Sequence, residues 1–326
     1  MRRVIHSAEA LIEGANLEIL RTYFEFAHKR QEVFLKREAR WNGPLAEDPI
    51  LQEYRFTNVF RVLDRVSQYL VSHVQTQPGL QDAKSSTILR TLLFKIFNKI
   101  ETWERIEGDV GLISMAHFPV REIGQHLSTR RAAGEVIYSS AYIMPSPRMG
   151  QHEKHLNHLA LVKALIEDGT FDRLTECQSL KQLFETLITV SSFGPFLAFQ
   201  YAIDLNYSTH FSFPESDFVI AGPGAHDGLS KCFRIYKPSV AEDLILAVST
   251  HQAELFAHFG LDLLTYKGRS LRPIDCQNLF CEVSKYTRVS HPDTQGCSGR
   301  TRIKQKYKPS FRPTAPTVLP VCWANC

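Results

Sequence analysis

The residues of this chain best suited to chemistry lie in one stretch, 180–233, LKQLFETLITVSSFGPFLAFQYAIDLNYSTHFSFPESDFVIAGPGAHDGLSKCF. Leu183, Phe184, Leu187 and Ile188 mark the apolar face of one helix, and Leu197, Phe199, Ala202 and Leu205 mark a second. Between them runs a Ser-Ser-Phe-Gly-Pro-Phe hairpin that contains Ser192 and Gly194. Such a helix–hairpin–helix can grip a DNA backbone: the glycine lets main-chain N–H groups approach a phosphate, and the following helix N-terminus adds a favourable dipole. A carboxylate, Asp217, follows 23 residues after Gly194, and the Gly222-Pro223-Gly224 turn comes shortly after it. The N–H groups of that turn could hold a phosphate or sugar oxygen. Plainer uses exist for each piece: any αα-hairpin gives the first pattern, Asp217 suits an N-cap, and Pro-Gly ends loops.

Two further segments carry clustered cations. In RFTNVFRVLDRVSQYL, Phe56, Val59, Phe60, Leu63, Val66 and Leu70 form an apolar stripe, while Arg55, Asn58, Arg61, Arg65 and Tyr69 gather opposite. Arginines and an amide on one face can grip phosphates or read base edges, or can simply be a wet face with Asp64 giving local pairing. After Asp293 no acidic residue remains, and Arg300, Arg302, Lys304, Lys306, Lys308 and Arg312 alternate with residues that include Tyr307 and Phe311. That mixture suits a phosphate backbone, or a solvated tail; the Pro-rich run PSFRPTAPTVLP reads as flexible or extended chain.

The elements that must position these residues are helical. Periodicity predicts helices over about 8–38, 54–75, 84–106, 115–128, 152–168, 178–190, 195–206, 239–259 and 274–286. Glu135 to Ile143 is the best strand candidate, and there is no internal repeat. The expected fold is all-α, with two helical lobes and a cleft between them: 1–150 as the N-terminal lobe, 151–293 as the catalytic lobe, and 294–326 as a basic tail. With 326 residues, 44% hydrophobic, 22% charged and a net charge of +4, the chain is expected to be folded and globular rather than disordered. No uncharged apolar run approaches the ~18 residues of a membrane span. Glu9 and Glu13 interrupt any signal-like apolar core, so a cytoplasmic protein is expected, with no membrane contact. Seven cysteines at 177, 232, 276, 281, 297, 322 and 326 read as free thiols. Cys276, Cys281, His291 and Cys297 lie close in sequence but match no zinc or iron–sulfur spacing, so neither a metal nor another cofactor is expected.

The order hairpin, second helix, carboxylate resembles the helix–hairpin–helix DNA glycosylases. There the corresponding aspartate stabilises an oxocarbenium-like sugar and positions water as the base departs. Bifunctional members carry a lysine shortly after the hairpin glycine; here Pro195, Phe196, Leu197 and Ala198 follow Gly194, which implies water as the nucleophile and an abasic product. Five ordered segments sharpen the resemblance: DPILQEYRFTNVFRVLDRVSQYL (48–70), LLFKIFNKIETW (92–103), FGPFLAFQYAIDLNYS (193–208), SDFVIAGPGAHDGL (216–229) and NLFCEVSKYTRV (278–289). Together they resemble the α-glutamyl/putrescinyl thymine pyrophosphorylase group, glycosylase-related proteins of hypermodified phage DNA. The chain looks most similar to its Brig-type anti-phage glycosylases, which remove glucosylated hydroxymethylcytosine.

That resemblance implies Asp217 as the catalytic carboxylate. It implies Arg55, Asn58, Arg61 and Asp64 on the facing side of the cleft, with Asn98 and Trp103 near a flipped base and Glu282, Lys285 and Tyr286 in the last motif. Tyr138, Tyr142 and the Arg148–His158 stretch are candidates for reading sugar hydroxyls. The expected DNA contacts are Ser192, Gly194, Gly222, Gly224, Arg65 and Lys285. The leading expectation is therefore a monofunctional DNA glycosylase that excises a modified pyrimidine from phage DNA in antiviral defence, with DNA as its partner and no obligate protein partner. The alternative is a transferase that replaces a pyrophosphorylated hydroxymethyluracil group with an amine. A third is a DNA-binding module without catalysis.

Overall fold

Local capping chemistry sets where the helices begin. The structure, a computed structural model, describes residues 7–78, 80, 83–140, 144–308 and 316–324. Ser7 caps α1 (Ala8–Gly14) by accepting from Ala10 N, and Asn16 then restarts the chain as α2 (Leu17–Glu38), so the long helix expected from residue 8 is two. Asp48 accepts from Ile50 N and Leu51 N to start α3 (Pro49–Glu53), with proline at the first turn, where its missing N–H costs nothing. The helix expected over 54–75 does not form as one element. Residues 54–60 are irregular, 61–63 make a 3₁₀ turn, and only α4 (Arg65–Tyr69) and a π-turn at 70–74 are helical. The helix expected over 84–106 breaks at Asn98, whose φ of 48° ends α5 (Ala83–Phe97) before α6 (Ile100–Val110).

Along the rest of the chain come α7 (Val120–Ala132), α8 (Lys154–Glu167), α9 (Thr170–Glu176), α10 (Leu180–Leu187) and α11 (Pro195–Asn206). They are followed by α12 (Pro223–Cys232), α13 (Ala241–Thr250), α14 (Gln252–His258), α15 (Pro273–Ser290) and α16 (Val321–Ala324). One antiparallel pair, β1 (Thr265–Tyr266) and β2 (Arg269–Ser270), is the sheet content of the described residues. The fold is all-α, and residues 135–140 of the expected strand form none. No helix among the described residues is long and apolar enough to cross a membrane.

The chain folds as two compact units. Unit 1 comprises residues 1–64 and 215–317, and unit 2 comprises 65–214 and 318–326. The sequence boundary at 150 thus falls inside unit 2, and that at 293 inside unit 1. In unit 1, Tyr23, Phe24 and Phe26 of α2 meet Phe256, Phe259, Phe280, Phe56 and Tyr286, with ring centroids 4.5–5.6 Å apart. Each fully buried ring is worth about 1.5–3 kcal/mol of transfer free energy. Behind these rings α12 presses on α15 so closely that a Cβ at Gly224 would stand 2.2 Å from Cys281 Sγ, and one at Gly228 2.0 Å from Phe280 O. Unit 2 packs around α5 and α11. It buries the pair Lys95–Asp204 at 3.1 Å, and it buries Arg90 against Glu107 and the Trp103 ring.

Candidate functional site

The segment 54–64 of unit 1 has no regular hydrogen-bond ladder, and buried charge holds it in shape. From α2, Arg30 donates through Nη2 to Asn58 Oδ1 at 2.5 Å and to Phe56 O at 3.4 Å. Asn58 in turn donates its main-chain N–H to Asp64 Oδ1 at 2.7 Å and its amide to Leu63 O. From α15, Glu282 accepts from Thr57 N at 3.0 Å and from Lys285 Nζ at 2.7 Å, and Asp275 accepts from Arg61 N at 2.8 Å. Asp275 also caps its own helix by accepting from Arg272 N at 3.0 Å. Three carboxylates therefore hold three main-chain N–H groups of one irregular stretch, each worth more than a neutral hydrogen bond in a poorly solvated place.

The electrostatics follow from that burial. Desolvation pushes Asp64 up to about 6, against the Asn58 N–H and the Arg30 guanidinium, which favour its charged form. Burial likewise draws Arg30 down to about 10, opposed by Asp64. Asp275 is raised by burial, with Arg269 and the two N–H donors pulling the other way. These charges are costly to desolvate, and the hydrogen bonds to main-chain N–H groups offset that cost. Here they fix a backbone path.

A second buried cluster in unit 1 surrounds Asp227. Burial alone would raise this carboxyl, but the Ser284 hydroxyl and the Ser298 N–H and hydroxyl hold it below its ordinary value. Lys231 donates to Ser284 O at 3.0 Å and Thr287 Oγ1 at 3.1 Å, and Arg288 lies 3.7 Å from Asp227. Glu215 is paired with Arg269, both buried.

The sequence-selected residues separate into those this network gathers and those it does not. Asn58, Arg61, Asp64 and Lys285 belong to it or border it; Asn58 and Arg61 are 8% and 2% exposed, so they are not the wet helix face that was expected. The reason is the missing helix: an irregular 54–60 turns Asn58 inward to its buried partners. Arg55 is exposed. Asp217 sits on an exposed loop, where it accepts from the adjacent Ser216 hydroxyl at 3.0 Å and, among the described residues, from no member of the network. It is not an N-cap, because Gly222 takes that position for α12. Gly224 packs against Cys281.

In unit 2, α10 and α11 do form an αα-hairpin. Ser192, not Gly194, holds its left-handed position, with φ 72° against −75°. Asn98 is buried at the α5–α6 break, and Trp103, 1% exposed, is core against Phe94 and Arg90. Arg65 is exposed and lies 3.7 Å from Glu101. Tyr142 lies outside the described residues. In the 148–158 stretch, Asn157 ties down Met149 N and Gln151 N, and His158 bridges the Tyr138 hydroxyl and Pro145 O, so these side chains serve a turn. An open groove of 810 Å³ lined by α7 and α8 takes in Met149, Gln151 and Leu156 of that stretch and none of the expected catalytic or DNA-contacting residues. Among the described residues no three His, Cys, Asp or Glu side chains are grouped to hold a metal.

Sequence reading missed Arg30, Asp275, Asp227 and Glu215. Arg30 left a usable trace, since it interrupts the apolar stripe of α2 between Phe26 and Val33–Phe34.

Comparison with known proteins finds likeness to a family named for a different chemistry from the one expected. The profile of the family described as "5-hmdU DNA kinase, helical domain" matches residues 17–296. A relative, the 5-hmdU DNA kinase of Bacillus phage SP10, is 25% identical over 291 residues, covering 81% of this chain and 44% of its own length. The chain thus spans under half the length of that relative. No solved structure matches. These findings overturn the glycosylase expectation: neither match is named for hydrolysis, base release, glucosylated hydroxymethylcytosine or antiviral defence. The role of Asp217 in base release is withdrawn with it. The specific resemblance to the pyrophosphorylase group gives way to a phage DNA-modification family at large, and the transferase alternative fits better.

Proposed function

The chain belongs to the 5-hmdU DNA kinase helical-domain family, and from that premise we propose that it works on 5-hydroxymethyluracil in DNA, as the base-engaging helical part of a transferase that elaborates the 5-hydroxymethyl group. The observation that carries this reading is the extent of the match, which includes the whole network around 54–64 and the helix α15 behind it. A short irregular segment over-determined by buried charge suits a base-recognition surface, because a hydroxymethyl group must be held in one pose for its oxygen to be modified. In a kinase reaction that oxygen attacks the terminal phosphorus of a nucleoside triphosphate, forming the phosphoester and releasing the diphosphate. No Gly-x₄-Gly-Lys-Ser/Thr run occurs in the 326 residues, so the reading assigns this chain to the DNA and the base rather than to a phosphate-donor loop of that kind. The expected site of action is the cytoplasm.

Two measurements test this. Competition binding compares hydroxymethyluracil duplexes with thymine duplexes of the same sequence, and the expected result is tighter binding of the former. Mass spectrometry of digested DNA then follows the base after incubation with ATP, and in a second arm follows pyrophosphorylated hydroxymethyluracil DNA with an amine. Equal affinity for both duplexes with an unaltered base in both arms would overturn the proposal.

A further inference from the structure

Just past the end of the family match, residues 299–308 read Gly-Arg-Thr-Arg-Ile-Lys-Gln-Lys-Tyr-Lys, with a cation at every even position. This stretch is not the free tail that its composition suggested. Arg55 N donates to Gln305 O at 3.0 Å and Tyr307 N to Glu53 O at 2.9 Å, an antiparallel bridge centred on Tyr54 and Lys306. Upstream, Ser298 N is held by Asp227 at 2.8 Å, and Arg288 Nη1 donates to Arg302 O at 3.2 Å. Ile303 is buried between exposed Arg302 and Lys304. The strap is thus fastened by its main chain and by an odd-numbered side chain.

The even-numbered residues are all exposed, as are Thr301 and Gln305, while Ile303 turns inward, as alternation along extended chain allows. Lys306 pairs with Glu53 and lies 4.3 Å over the Tyr54 ring. Arg300, Arg302, Lys304 and Lys308 are exposed, and among the described residues none of their side chains has a carboxylate partner. We propose that this strap is a phosphate ladder, four exposed cations along a stretch bridged to Tyr54 that follow the sugar–phosphate backbone of one DNA strand.

The dimensions agree. Two residues of extended chain advance about 6.7 Å, and phosphates of one strand advance about 3.4 Å each along the duplex axis, so Arg300, Arg302 and Lys304 match every second phosphate and Lys308, beyond the Lys306–Glu53 pair, matches the fourth after Lys304. Spacing in multiples of that step is what a linear polyanion offers. An anionic bilayer fits less well, because it offers no one-dimensional register to match and the strap adds no apolar insertion, with Ile303 turned into the protein.

The ladder rests on the reading that the chain works on DNA, and its test separates the two. Arg300, Arg302, Lys304 and Lys308 are changed together to Gln in the full chain, and binding to hydroxymethyluracil and thymine duplexes is followed across a salt series. A companion variant changes four exposed cations elsewhere, Lys163, Lys181, Arg234 and Lys237, and so removes the same net charge. The expected result is that the slope of log affinity against log salt becomes shallower by about 3.5 in the strap variant, at about 0.9 per phosphate contact, and barely changes in the companion. The ratio of affinities for the two duplexes stays the same. An unchanged slope, an equal change in the companion, or no salt-dependent binding by the unsubstituted chain would overturn the ladder. So would strap-dependent binding to phosphatidylglycerol vesicles without a change in the DNA slope. If the slope falls as expected while the unsubstituted chain shows no preference for hydroxymethyluracil, the ladder stands and the base reading fails.

Discussion

Two short segments of this chain, one expected within a helix and the other as a hairpin, are held in opposite ways. Segment 54–64 in unit 1 has little regular structure, yet its N–H groups end on Asp64, Glu282 and Asp275, and its amide side chain on Arg30. The 188–195 hairpin in unit 2 joins two ordinary helices. It is held by Phe193 N donating to Val190 O at 3.0 Å and by the Phe193 ring stacked 4.6 Å from Tyr201, while Gly194 is exposed with nothing near its absent Cβ. The first region spends buried charge on its shape, and the second needs none. Charge buried in this way makes a segment rigid and intolerant of change; an exposed corner is free to be altered or to meet a ligand.

The largest expected effect is therefore Arg30→Met. It leaves Asn58 Oδ1 and Phe56 O without their buried charged donor and Asp64 without a neighbouring cation, and losing a buried charged hydrogen-bond partner costs about 3 kcal/mol. Urea denaturation at pH 8 should show that loss, with a smaller one at pH 5, where Asp64 can take up a proton. An equal loss at both pH values would mean that packing, not charge, holds the segment. Gly228→Ala should come next, at about 1–3 kcal/mol, because its Cβ meets the main-chain oxygen of Phe280 and neither helix can yield locally. The readout is the thermal midpoint; an unchanged value would show that α12 and α15 slide apart cheaply.

These glycines also show why the sequence was legible in some places only. α11 is found residue for residue at 195–206, since an apolar stripe behind an N-terminal proline has one reading. No helix is expected over 223–232, where Gly222-Pro223-Gly224 reads as a turn by propensity. Tertiary contact overrides that propensity: Gly224 and Gly228 are the face that lets α15 approach. The false helix at 54–75 has the same lesson reversed, for its apolar stripe is real, but the N–H groups of 57, 58 and 61 found carboxylates 225, 6 and 214 residues away. The two distant partners, Glu282 and Asp275, leave no periodic mark. Of the site, the positions Asn58, Arg61, Asp64 and Lys285 were legible, and their burial and the role of Arg30 were not.

Asp64→Asn sharpens the electrostatic half of the comparison. Its carboxyl is raised from an ordinary 3.8 to about 6, so protonation favours the folded state: the contribution is full below about 4 and lost as pH rises through about 6. The asparagine keeps an acceptor for Asn58 N and cannot titrate. Stability of the unsubstituted protein should therefore carry a rise between pH 7 and 5 that the variant lacks, read from urea midpoints at both pH values. The same rise in the variant would assign it to another group.

The smallest effect on stability, and the one that decides what the hairpin is for, belongs to Gly194→Ala. At φ −75° and ψ 167° the position accepts any residue, and no atom lies within 4 Å of the new methyl. Alanine is the poorer N-cap, but it also restricts the unfolded chain, and the two contributions offset to within about 0.5 kcal/mol. A phosphate resting against this corner would meet the methyl group that the fold itself does not. The expected outcome is an unchanged thermal midpoint with several-fold weaker DNA binding, and Ser192→Gly, which relieves a left-handed serine at φ 72°, should stabilise the hairpin without that loss. If Gly194→Ala leaves both stability and affinity alone, the hairpin is a corner between two helices, and recognition rests on the charged segment alone.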